Sequence, residues 1–347
     1  MKRILRVKLA TLVMLVFFAF AANAADVTPV IVIHGGTSGM NLTQENFQKR
    51  VPGMEKALKA GQAVLIAGGT AEDAVIAAIV VLEDDPEFNS GKGAVFNAAG
   101  ENELDASLMD GETRKAGAVA GARRIKNPIK AARVVKDATW HTLIAGDGAD
   151  KLAEANGLEM VDPKYFHTEA RYQQLLKAKE KAGDKTFIDH EKIDKPKKQS
   201  MLRPEEPYLG TVGAIALDKK GNLAAGTSTG GMTNKMAGRI GDSPIIGSGT
   251  YADNEGLAIS CTGSGDIFMR VNAAHEANAL YKYKNMTPEQ AAQGSIDQVK
   301  ALDGRGGIIA LDAKGVVGFG WTKQDLGVYR GVARGDAAPE IFFPVAK

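Results

Sequence analysis

The chain has 347 residues, of which 44% are hydrophobic and 24% are charged, and its formal net charge is +2. This is the composition of a globular protein with enough apolar material for one large or two ordinary domains. The near-neutral charge gives no electrostatic basis for nucleic-acid binding, and the single cysteine, Cys261, excludes an intramolecular disulfide and a thiolate-rich metal site.

The N-terminus predicts a secretory signal peptide over residues 1–24. A basic start precedes an apolar run over residues 9–22, and Ala22-Asn23-Ala24 has the small-x-small form of a cleavage site. Cleavage is expected before Ala25, which predicts a periplasmic or secreted protein. An uncleaved membrane anchor is the alternative, but the run is short for a membrane span.

The next segments alternate between strand and helix patterns. Residues 29–33 are β-branched and lead into His34-Gly35-Gly36, which predicts a strand that ends in a tight glycine turn. Residues 44–67 have a mixed helical pattern that Pro52-Gly53 interrupts. Thr70 begins a capping-box pattern ahead of a long apolar run, which predicts a buried helix.

A loop over residues 83–93 follows, and strand-like segments are expected around residues 94–96 and 116–121. Residues 129–181 are expected to be mainly helical. Residues 177–209 then carry eight lysines with few apolar residues, which predicts a disordered linker. An ordinary solvated surface loop is the alternative, but a structureless loop of this length inside a compact domain is unusual and suggests a function.

The dipeptide Gly210-Thr211 lies between this segment and the first strand of the C-terminal half. A threonine freed at an N-terminus would carry a hydroxyl nucleophile and an α-amine with a pKa of about 7.7–8.0 on one residue. That combination is an established way to activate a hydroxyl. The residue pattern therefore allows Thr211 to become a catalytic N-terminus if the preceding peptide bond breaks.

Two similar hairpins are predicted downstream, over residues 215–226 and 309–320. Each has Ile-Ala-Leu-Asp, two further residues, a glycine and a second strand, which suggests one antiparallel sheet that both hairpins share. Residues 265–302, between them, have a helical pattern. Strands with helices before and after them indicate a layered sandwich.

Small hydroxyl residues and glycines follow several predicted strands, notably over residues 226–235 and 260–266. Such residues suit an oxyanion site, and Arg239 with Asp242 could hold the two charged ends of an amino acid. Taken alone, glycine-threonine turns are usually only turns, and an Arg–Asp pair three residues apart is usually a surface pair. P-loop and zinc-hydrolase motifs are absent from the sequence.

The combination of motifs is much more specific than its parts. The chain resembles the plant-type asparaginase and isoaspartyl peptidase family of N-terminal-nucleophile hydrolases, from His34 to about Gly320. The motifs that carry this resemblance are His-Gly-Gly at residues 34–36, Phe-Asn-Ser-Gly-Lys-Gly at 88–93, residues 103–111, Gly-Thr-Val-Gly at 210–213, residues 227–235, Gly-Arg-Ile-Gly-Asp-Ser-Pro at 238–244 and Cys-Thr-Gly-Ser-Gly at 261–265.

The resemblance implies a precursor that cleaves itself between Gly210 and Thr211. The products would be an α subunit over residues 25–210, which ends in the linker, and a β subunit over residues 211–347. It also implies an α+β fold, the four-layer αββα sandwich of the N-terminal-nucleophile hydrolases, in which both subunits form one domain. The working unit would be a heterotetramer of two αβ pairs.

The resemblance further assigns roles to individual residues. Thr211 would be the nucleophile, with Thr229 hydrogen-bonded near it and Asn89 beside the site. The oxyanion hole would be formed by Thr262 and Gly263. The substrate's α-carboxylate and α-ammonium would bind Arg239 and Asp242, with Gly265 completing the pocket.

No cofactor is required by this assignment, although relatives bind a structural sodium ion through backbone carbonyls of one loop. In this chain the corresponding carbonyls would belong to Leu82, Glu83, Asp85, Phe88, Ser90 and Lys92.

The activity implied by the resemblance is hydrolysis of β-aspartyl dipeptides and of the side-chain amide of L-asparagine, with release of L-aspartate. Two alternatives stay open at this point. Residues 265–270 also resemble the glycosylasparaginase branch, which would make the chain a glycosylasparaginase-like amidase. An exported, non-catalytic binding protein on the same scaffold is the other, although the intact nucleophile motif argues against it.

Overall fold

The computed structural model describes residues 27–37, 43–182, 210–322 and 327–342. Within these ranges the chain forms twelve strands and eight α-helices, numbered here in chain order. The strands are β1 Val30–Thr37, β2 Leu104–Asp110, β3 Ala116–Ala122, β4 Leu143–Ala145, β5 Val212–Leu217, β6 Leu223–Thr229, β7 Thr250–Ala252, β8 Leu257–Gly263, β9 Gly306–Asp312, β10 Val317–Trp321, β11 Val328–Arg334 and β12 Glu340–Phe342. The helices are α1 Gln44–Ile66, α2 Ala71–Glu83, α3 Pro128–Ala138, α4 Asp147–Ala155, α5 Glu169–Lys181, α6 Gly265–Val271, α7 Ala273–Lys284 and α8 Pro288–Ala301.

The described strands form two sheets that face each other. The larger sheet has the order β12-β11-β1-β5-β6-β2-β3-β4, and the smaller has the order β10-β9-β8-β7. Helices α1, α2 and α3 pack on the outer face of the larger sheet, while α7 and α8 cover the outer face of the smaller one. Since β5 and β6 contact β8 across the interior, the molecule is a four-layer αββα sandwich. The fold prediction is confirmed.

Strand β5 shows how the sequence builds these layers. Val212 and Ala214 face the helices, whereas Ile215 and Leu217 face the smaller sheet. All residues of the strand are buried, because it is covered on both faces. Burying a side chain the size of isoleucine contributes about 1.5–3 kcal/mol. The same two-residue alternation places Thr211, just before the strand, on the face between the sheets.

The two predicted hairpins exist, but the expectation that they share one sheet is wrong. Strands β5 and β6 pair antiparallel in the larger sheet, and β9 and β10 pair antiparallel in the smaller one. Ile215 and Ile309 instead meet across the interior in one apolar cluster. Alternation and turn residues specify each local pairing, but they suit either sheet equally well.

Other elements agree in part with the prediction. Helix α2 begins where predicted, with the Thr70 hydroxyl accepting from the Asp73 backbone N–H at 3.1 Å. Helix α1 continues through Pro52, and β1 continues through the His-Gly-Gly motif to Thr37, so the expected interruption and the expected turn are both wrong. Residues 94–96 follow a short 3-10 turn and form no strand, whereas β2 was not anticipated as a strand.

The predicted linker begins too early. Helix α5 runs to Lys181, so residues 177–181 are helical, with Lys179 and Lys181 in the last turn where cations interact favourably with the helix dipole. The rest of that segment, residues 183–209, and the predicted signal peptide over residues 1–24 lie outside the described residues. In the described part of the chain, no helix has the length and apolar character needed to span a membrane.

Candidate active site

The candidate site occupies the polar end of the layer between the two sheets. On β6 and β8 the side chains that face this layer are apolar at one end, at Ala225 and Ala258, and hydroxylic at the other. The hydroxylic end carries Thr227 and Thr229 on β6 and Thr262 on β8, all buried. Strict alternation therefore gathers small hydroxyls from several strands at one end of the sandwich.

Thr211 lies in this polar end, only 8% exposed. Its hydroxyl donates a hydrogen bond to the Thr229 hydroxyl at 3.0 Å, and the same Thr229 oxygen accepts from the Gly231 backbone N–H at 3.0 Å. The hydrogen bond from Gly231 thereby fixes the position of the Thr229 hydroxyl. The peptide bond between Gly210 and Thr211 is intact in this structure, which therefore describes the uncut chain.

Gly210, the residue before Thr211, is closely enclosed by two motifs of the resemblance. A Cβ at Gly36, whose φ is +94°, would lie 2.5 Å from the Gly210 Cα, so only glycine permits this approach. On the other side the Asn89 Cβ lies 3.0 Å from the ideal Cβ position of Gly210. The Asn89 side chain donates to the Gly231 carbonyl at 2.7 Å. Asn89 thus joins Gly210 to the loop that orients Thr229.

The predicted oxyanion donors lie at the end of β8. Thr262 is 1% exposed, and its hydroxyl oxygen has no hydrogen-bond partner among the described residues. Gly263 has a φ of +149°, and a Cβ there would lie 2.3 Å from the Arg305 carbonyl oxygen. A buried hydroxyl without a partner is costly, so Thr262 suits a ligand that supplies an acceptor.

The predicted substrate clamp lies on the long connection between β6 and β7. Arg239 pairs with Asp266 at 2.6 Å, and its side chain is 16% exposed against 57% for Asp266. Asp242 is 4% exposed, and its Oδ2 atom has no hydrogen-bond partner among the described residues. A Cβ at Gly265 would lie 2.6 Å from Asp242 Oδ1 and 3.0 Å from an Arg239 guanidinium nitrogen, so these three residues meet in one small space.

Burial raises the pKa of the Asp242 carboxyl to about 7, and the nearby Arg239 guanidinium opposes that rise only in part. The carboxylate has lost its hydration without gaining a full partner. An ammonium group beside Oδ2 would supply one. The arrangement suits a ligand that carries both a carboxylate and an ammonium group.

Two residues that were not predicted hold the clamp loop in place. Glu103 Oε1, on a buried side chain just before β2, accepts from the Gly238 backbone N–H at 2.9 Å. Lys235 is buried and donates to the Glu103 carbonyl at 3.2 Å. Residues 103–111 carry one of the motifs of the family resemblance, but nothing local in the sequence links them to residues 235–242.

His34 lies in the motif that was expected to form a turn, but it is wholly buried between the sheets. Its Nδ1 atom lies 3.0 Å from the Thr211 carbonyl oxygen, and its Nε2 atom lies 2.9 Å from the Ser260 hydroxyl oxygen. Burial lowers the pKa of its imidazole to about 3, against a smaller opposing effect of the bond to Thr211. The ring is therefore neutral at any working pH.

The loop predicted to hold sodium folds back on itself between α2 and a 3-10 turn over Gly91–Gly93. A Cβ at Gly91 would lie 2.3 Å from the Glu83 carbonyl oxygen, and a Cβ at Gly93 would lie 2.0 Å from the Phe88 carbonyl oxygen. The Glu83 and Phe88 carbonyls thus each lie close against a glycine of this turn, and carbonyl oxygens are ligands that a hard cation takes. The described residues contain no group of three or more His, Cys, Asp or Glu side chains placed to hold a metal. The six predicted ligand residues all lie in or next to this loop.

The structure therefore places the predicted residues in two connected groups. Thr211, Thr229 and Asn89 are joined by hydrogen bonds and contacts through Gly231. Arg239, Asp242 and Gly265 form the second group. Thr262 and Gly263 connect the two groups, because both lie at the end of β8, which leads directly into Gly265 and α6.

Comparison with known proteins gives a consistent result. The family model described as asparaginase matches residues 27–343. The isoaspartyl peptidase of Escherichia coli is 43% identical over 305 residues, which cover 87% of this chain and 91% of that protein. The isoaspartyl peptidase/L-asparaginase of Mus musculus is 42% identical over 302 residues, with 87% of each chain covered. The corresponding protein of Homo sapiens is 41% identical over 300 residues, which cover 86% of this chain and 91% of that protein.

Proposed function

The chain belongs to the asparaginase family, and on that premise we propose that it is a self-cleaving threonine hydrolase that acts on β-aspartyl dipeptides and L-asparagine. Relatives that are more than 40% identical over most of their length are named isoaspartyl peptidase or isoaspartyl peptidase/L-asparaginase. The observation that carries the proposal is the buried Thr211 hydroxyl, which is bonded to Thr229 directly after the enclosed Gly210.

Self-cleavage follows from this placement. The Thr211 hydroxyl oxygen attacks the Gly210 carbonyl carbon, and the Gly210–Thr211 amide becomes an ester as the acyl group moves from nitrogen to oxygen. Water then hydrolyses the ester, which leaves a carboxylate on Gly210 and a free amine on Thr211. Thr229 orients the attacking hydroxyl, while Gly36 and Asn89 enclose the bond that breaks.

Substrate hydrolysis uses the same hydroxyl. The new α-amine, with a pKa of about 7.7–8.0, accepts the hydroxyl proton as the oxygen attacks the substrate's β-carbonyl carbon. The Thr262 hydroxyl and the Gly263 N–H stabilise the oxyanion. Expulsion of the amine gives a β-aspartyl ester of Thr211, and water releases L-aspartate.

The clamp explains why the substrate is an aspartyl compound. Arg239 would bind the α-carboxylate and Asp242 the α-ammonium, on either side of the space that Gly265 leaves open. Only the β-carbonyl of a substrate held in this way would reach the nucleophile. The leaving group lies outside the clamp, so it can be ammonia or an amino acid.

The proposal is tested with purified protein. Wild type is expected to give two bands on a denaturing gel, with Thr-Val-Gly-Ala-Ile as the new N-terminal sequence. Thr211→Ala is expected to remain one inactive chain, whereas Thr211→Ser, which keeps a hydroxyl, is expected to cleave slowly. A single band from wild type after long incubation would contradict self-cleavage and would favour a non-catalytic role.

Substrate choice is tested on the cleaved enzyme. Its kcat/KM for a β-aspartyl dipeptide, for L-asparagine and for a glycosylated asparagine should be compared under one set of conditions. The dipeptide and asparagine are expected to be hydrolysed. A preference for the glycosylated compound would overturn the substrate assignment while leaving the nucleophile unchanged.

We also propose a structural sodium ion in the loop between α2 and Gly93. The backbone carbonyls of Leu82, Glu83, Asp85, Phe88, Ser90 and Lys92 would hold it, and the close approach of the Glu83 and Phe88 carbonyls to Gly91 and Gly93 supports the fit. The ion would supply no reaction chemistry. It would fix the loop from which Asn89 reaches the nucleophile.

The sodium proposal predicts a higher melting temperature in sodium chloride than in choline chloride at equal ionic strength. Gly91→Ala should remove that difference, because its φ is +50° and its Cβ would lie 2.3 Å from the Glu83 carbonyl oxygen. Gly100→Ala is the matched control, since its φ is +80° but nothing lies within 4 Å of the added atom. Equal melting temperatures of wild type in the two salts would contradict the site.

Two further proposals concern assembly and location. Two αβ pairs are expected to form a heterotetramer, which native mass spectrometry would show as twice the mass of one pair. The first 24 residues are expected to be a cleaved signal peptide that sends the protein to the periplasm or outside the cell, and the family match begins only at residue 27. An exported protein whose N-terminal sequence begins at Ala25 would support this; an intact Met1 would contradict it.

A further inference from the structure

We propose that His34 is a positioning residue that fixes the nucleophile's strand relative to the strand that carries the oxyanion donors. Its Nδ1–H donates to the Thr211 carbonyl, and its Nε2 accepts from the Ser260 hydroxyl. This inference rests on the proposed function, because it takes Thr211 as the nucleophile and Thr262 as an oxyanion donor.

The first support is the position of His34 between the sheets. The side chain leaves β1 of the larger sheet, contacts the carbonyl of Thr211 at 3.0 Å, and reaches Ser260 on β8 of the smaller sheet at 2.9 Å. Ser260 lies two residues before Thr262 and faces the same side of β8. One imidazole therefore connects the nucleophile residue to the strand of the oxyanion donors.

The second support is the space that the chain leaves for this contact. Gly213 lies directly opposite His34 in the pairing of β1 with β5. A Cβ at Gly213 would lie 2.0 Å from the Ser260 hydroxyl oxygen and 2.3 Å from His34 Nε2. Any side chain at this position would separate the imidazole from the hydroxyl. The hydrogen bond between His34 and Ser260 therefore explains why residue 213 is a glycine.

The third support is that the hydrogen-bond partners determine the tautomer. The Thr211 carbonyl can only accept, so Nδ1 carries the proton. Because the buried ring is neutral, Nε2 must then be an acceptor, and the Ser260 hydroxyl must donate to it. The hydrogen-bond partners of His34 therefore allow only the Nδ1–H tautomer.

A line of buried hydroxyls lies behind Ser260. Ser260 and Thr227 lie 2.6 Å apart, and Thr250 donates to Thr227 at 2.5 Å. Ser107 donates to Thr250 at 2.7 Å. The Thr227 hydroxyl also donates to the Gly249 carbonyl at 3.1 Å, and the Ser107 hydroxyl donates to the Ser243 carbonyl at 2.6 Å. The line thus crosses from β2 to β8 and ends at the imidazole.

The consequence for catalysis is geometric. His34 touches neither substrate nor reacting atoms, but its loss would let the Thr211 main chain move relative to Thr262. A misplacement of about 1 Å at a reacting centre can lower the rate by about a hundredfold. The expected effect is therefore on kcat and on self-cleavage, with little effect on KM, because the clamp residues lie on a different loop.

The direct test is the tautomer of His34, read from long-range proton–nitrogen NMR correlations of protein labelled at its histidines. The Thr211→Ala protein is the sample, so the measurement needs neither cleavage nor activity. The His34 signals are identified by their loss in a Thr211→Ala, His34→Asn variant. An Nδ1–H tautomer that persists from pH 5 to pH 9 is expected. The Nε2–H tautomer or an imidazolium in this range would overturn the proposal.

The functional test compares three variants in an otherwise wild-type chain. His34→Asn keeps a donor near the Nδ1 position and should retain most of the kcat, whereas His34→Leu should lose about tenfold to a hundredfold with KM little changed. Ser260→Ala should fall between them, because it removes only the link to β8. His141→Gln is the control, since that histidine lies at the surface against Trp140.

The outcomes separate the possible roles. Rates are to be divided by the fraction of cleaved enzyme, so that slow self-cleavage is not read as slow catalysis. If His34→Leu fails to fold, the proposal is still tested by comparing His34→Asn with Ser260→Ala. The tautomer of His34 in the Thr211→Ala protein tests it as well. A lower melting temperature with unchanged kcat in the folded variants would show a merely structural role and would overturn the proposal. Absence of hydrolysis by wild type would instead contradict the proposed function, and the tautomer would still be readable.

Discussion

At the scale of single residues, Thr262 Oγ1 and Asp242 Oδ2 are among the buried polar atoms that have no hydrogen-bond partner in the described chain. Such atoms typically cost about 1–3 kcal/mol each. In the proposed complex, Thr262 would donate to the oxyanion of the substrate, and Asp242 would accept from its ammonium group. We infer that this stability is given up so that the site is complete only with a ligand bound.

Removal of the Thr262 hydroxyl should slow the chemical step. Thr262→Val keeps the shape but loses the donor, and kcat should fall by about a hundredfold to a thousandfold, the usual effect of losing one oxyanion donor. KM should change little. Thr262→Ser is the control and should retain most of the activity. Steady-state kinetics on fully cleaved protein would check this, and equal kcat values for the two variants would contradict the role.

Neutralising Asp242 should stabilise the fold at high pH. The folded protein holds this proton more tightly than the unfolded chain, because the pKa is about 7 rather than the ordinary 3.8. Stability therefore falls as the pH rises from about 4 to about 7, by roughly 4 kcal/mol at most, and this group causes no further change above that range. Asp242→Asn should remove the loss.

The comparison is made by urea unfolding in the Thr211→Ala background, where the chain stays in one piece. Asp242→Asn should be more stable than its parent at pH 8, and by a smaller margin at pH 5. Asp266→Asn is the control, because that carboxylate is 57% exposed and its pair with Arg239 contributes little. A gain that does not depend on pH would show that ionisation of Asp242 is not the cause.

At the scale of elements, the clamp depends on the close approach of α6 to the connection between β6 and β7. Glu103 holds that connection through the Gly238 N–H, so a residue at the edge of β2 positions a loop more than 130 residues further along the chain. Gly265, the first residue of α6, brings the helix against Asp242 and Arg239. The pocket is thus defined by two elements, not by either alone.

Gly265→Ala should weaken substrate binding more than catalysis. The added Cβ would lie 2.6 Å from Asp242 Oδ1 and 3.0 Å from the Arg239 guanidinium, in the space where the substrate's α-carbon groups bind. KM should rise at least tenfold while self-cleavage stays normal, because Gly210 and Thr211 are not displaced. Gly148→Ala on α4 is the control, since its nearest atom is 3.4 Å away. An unchanged KM would place the substrate elsewhere.

At the scale of the whole molecule, the proposed cut separates strands that are neighbours in one sheet. Strand β5 pairs with β1, and β6 pairs with β2, so the two products would stay joined by both ladders. The apolar layer between the sheets also takes residues from both sides of the cut. The proposed cleavage would therefore convert one folding chain into two chains that must associate to refold.

This predicts a difference in refolding between cut and uncut protein. Thr211→Ala should refold from urea with a yield that depends less on protein concentration than that of the cleaved protein, because the ladders of β1 with β5 and of β2 with β6 are intramolecular in the uncut chain. Cleaved wild type should refold better at higher concentration, since its two chains must associate. Recovery of native circular dichroism after dilution at several concentrations would measure this. Identical concentration dependence would contradict shared sheets as the main link between the subunits.

Much of this arrangement could be predicted from local sequence, and the failures have a common cause. The hairpin of β5 with β6, the cap of α2 by Thr70 and the helical region after residue 265 follow from alternation, turn residues and capping, which are local. The assignment of both hairpins to one sheet failed because layer membership depends on which faces meet across the interior. Strand β2 was missed because its inward face is polar, at Asp105 and Ser107, and that polarity makes sense only beside the site.

By itself, the sequence determined the family resemblance, the Gly210-Thr211 junction and the residue types of the proposed nucleophile, oxyanion donors and clamp, because each is carried by a short motif. Only the tertiary structure decided which of these residues meet. It places Thr211 against Thr229, places Glu103 against the loop of Gly238 and puts His34 between Thr211 and Ser260. These contacts join residues that lie far apart in the chain, so they arise only when two sheets pack face to face and bury their polar ends together.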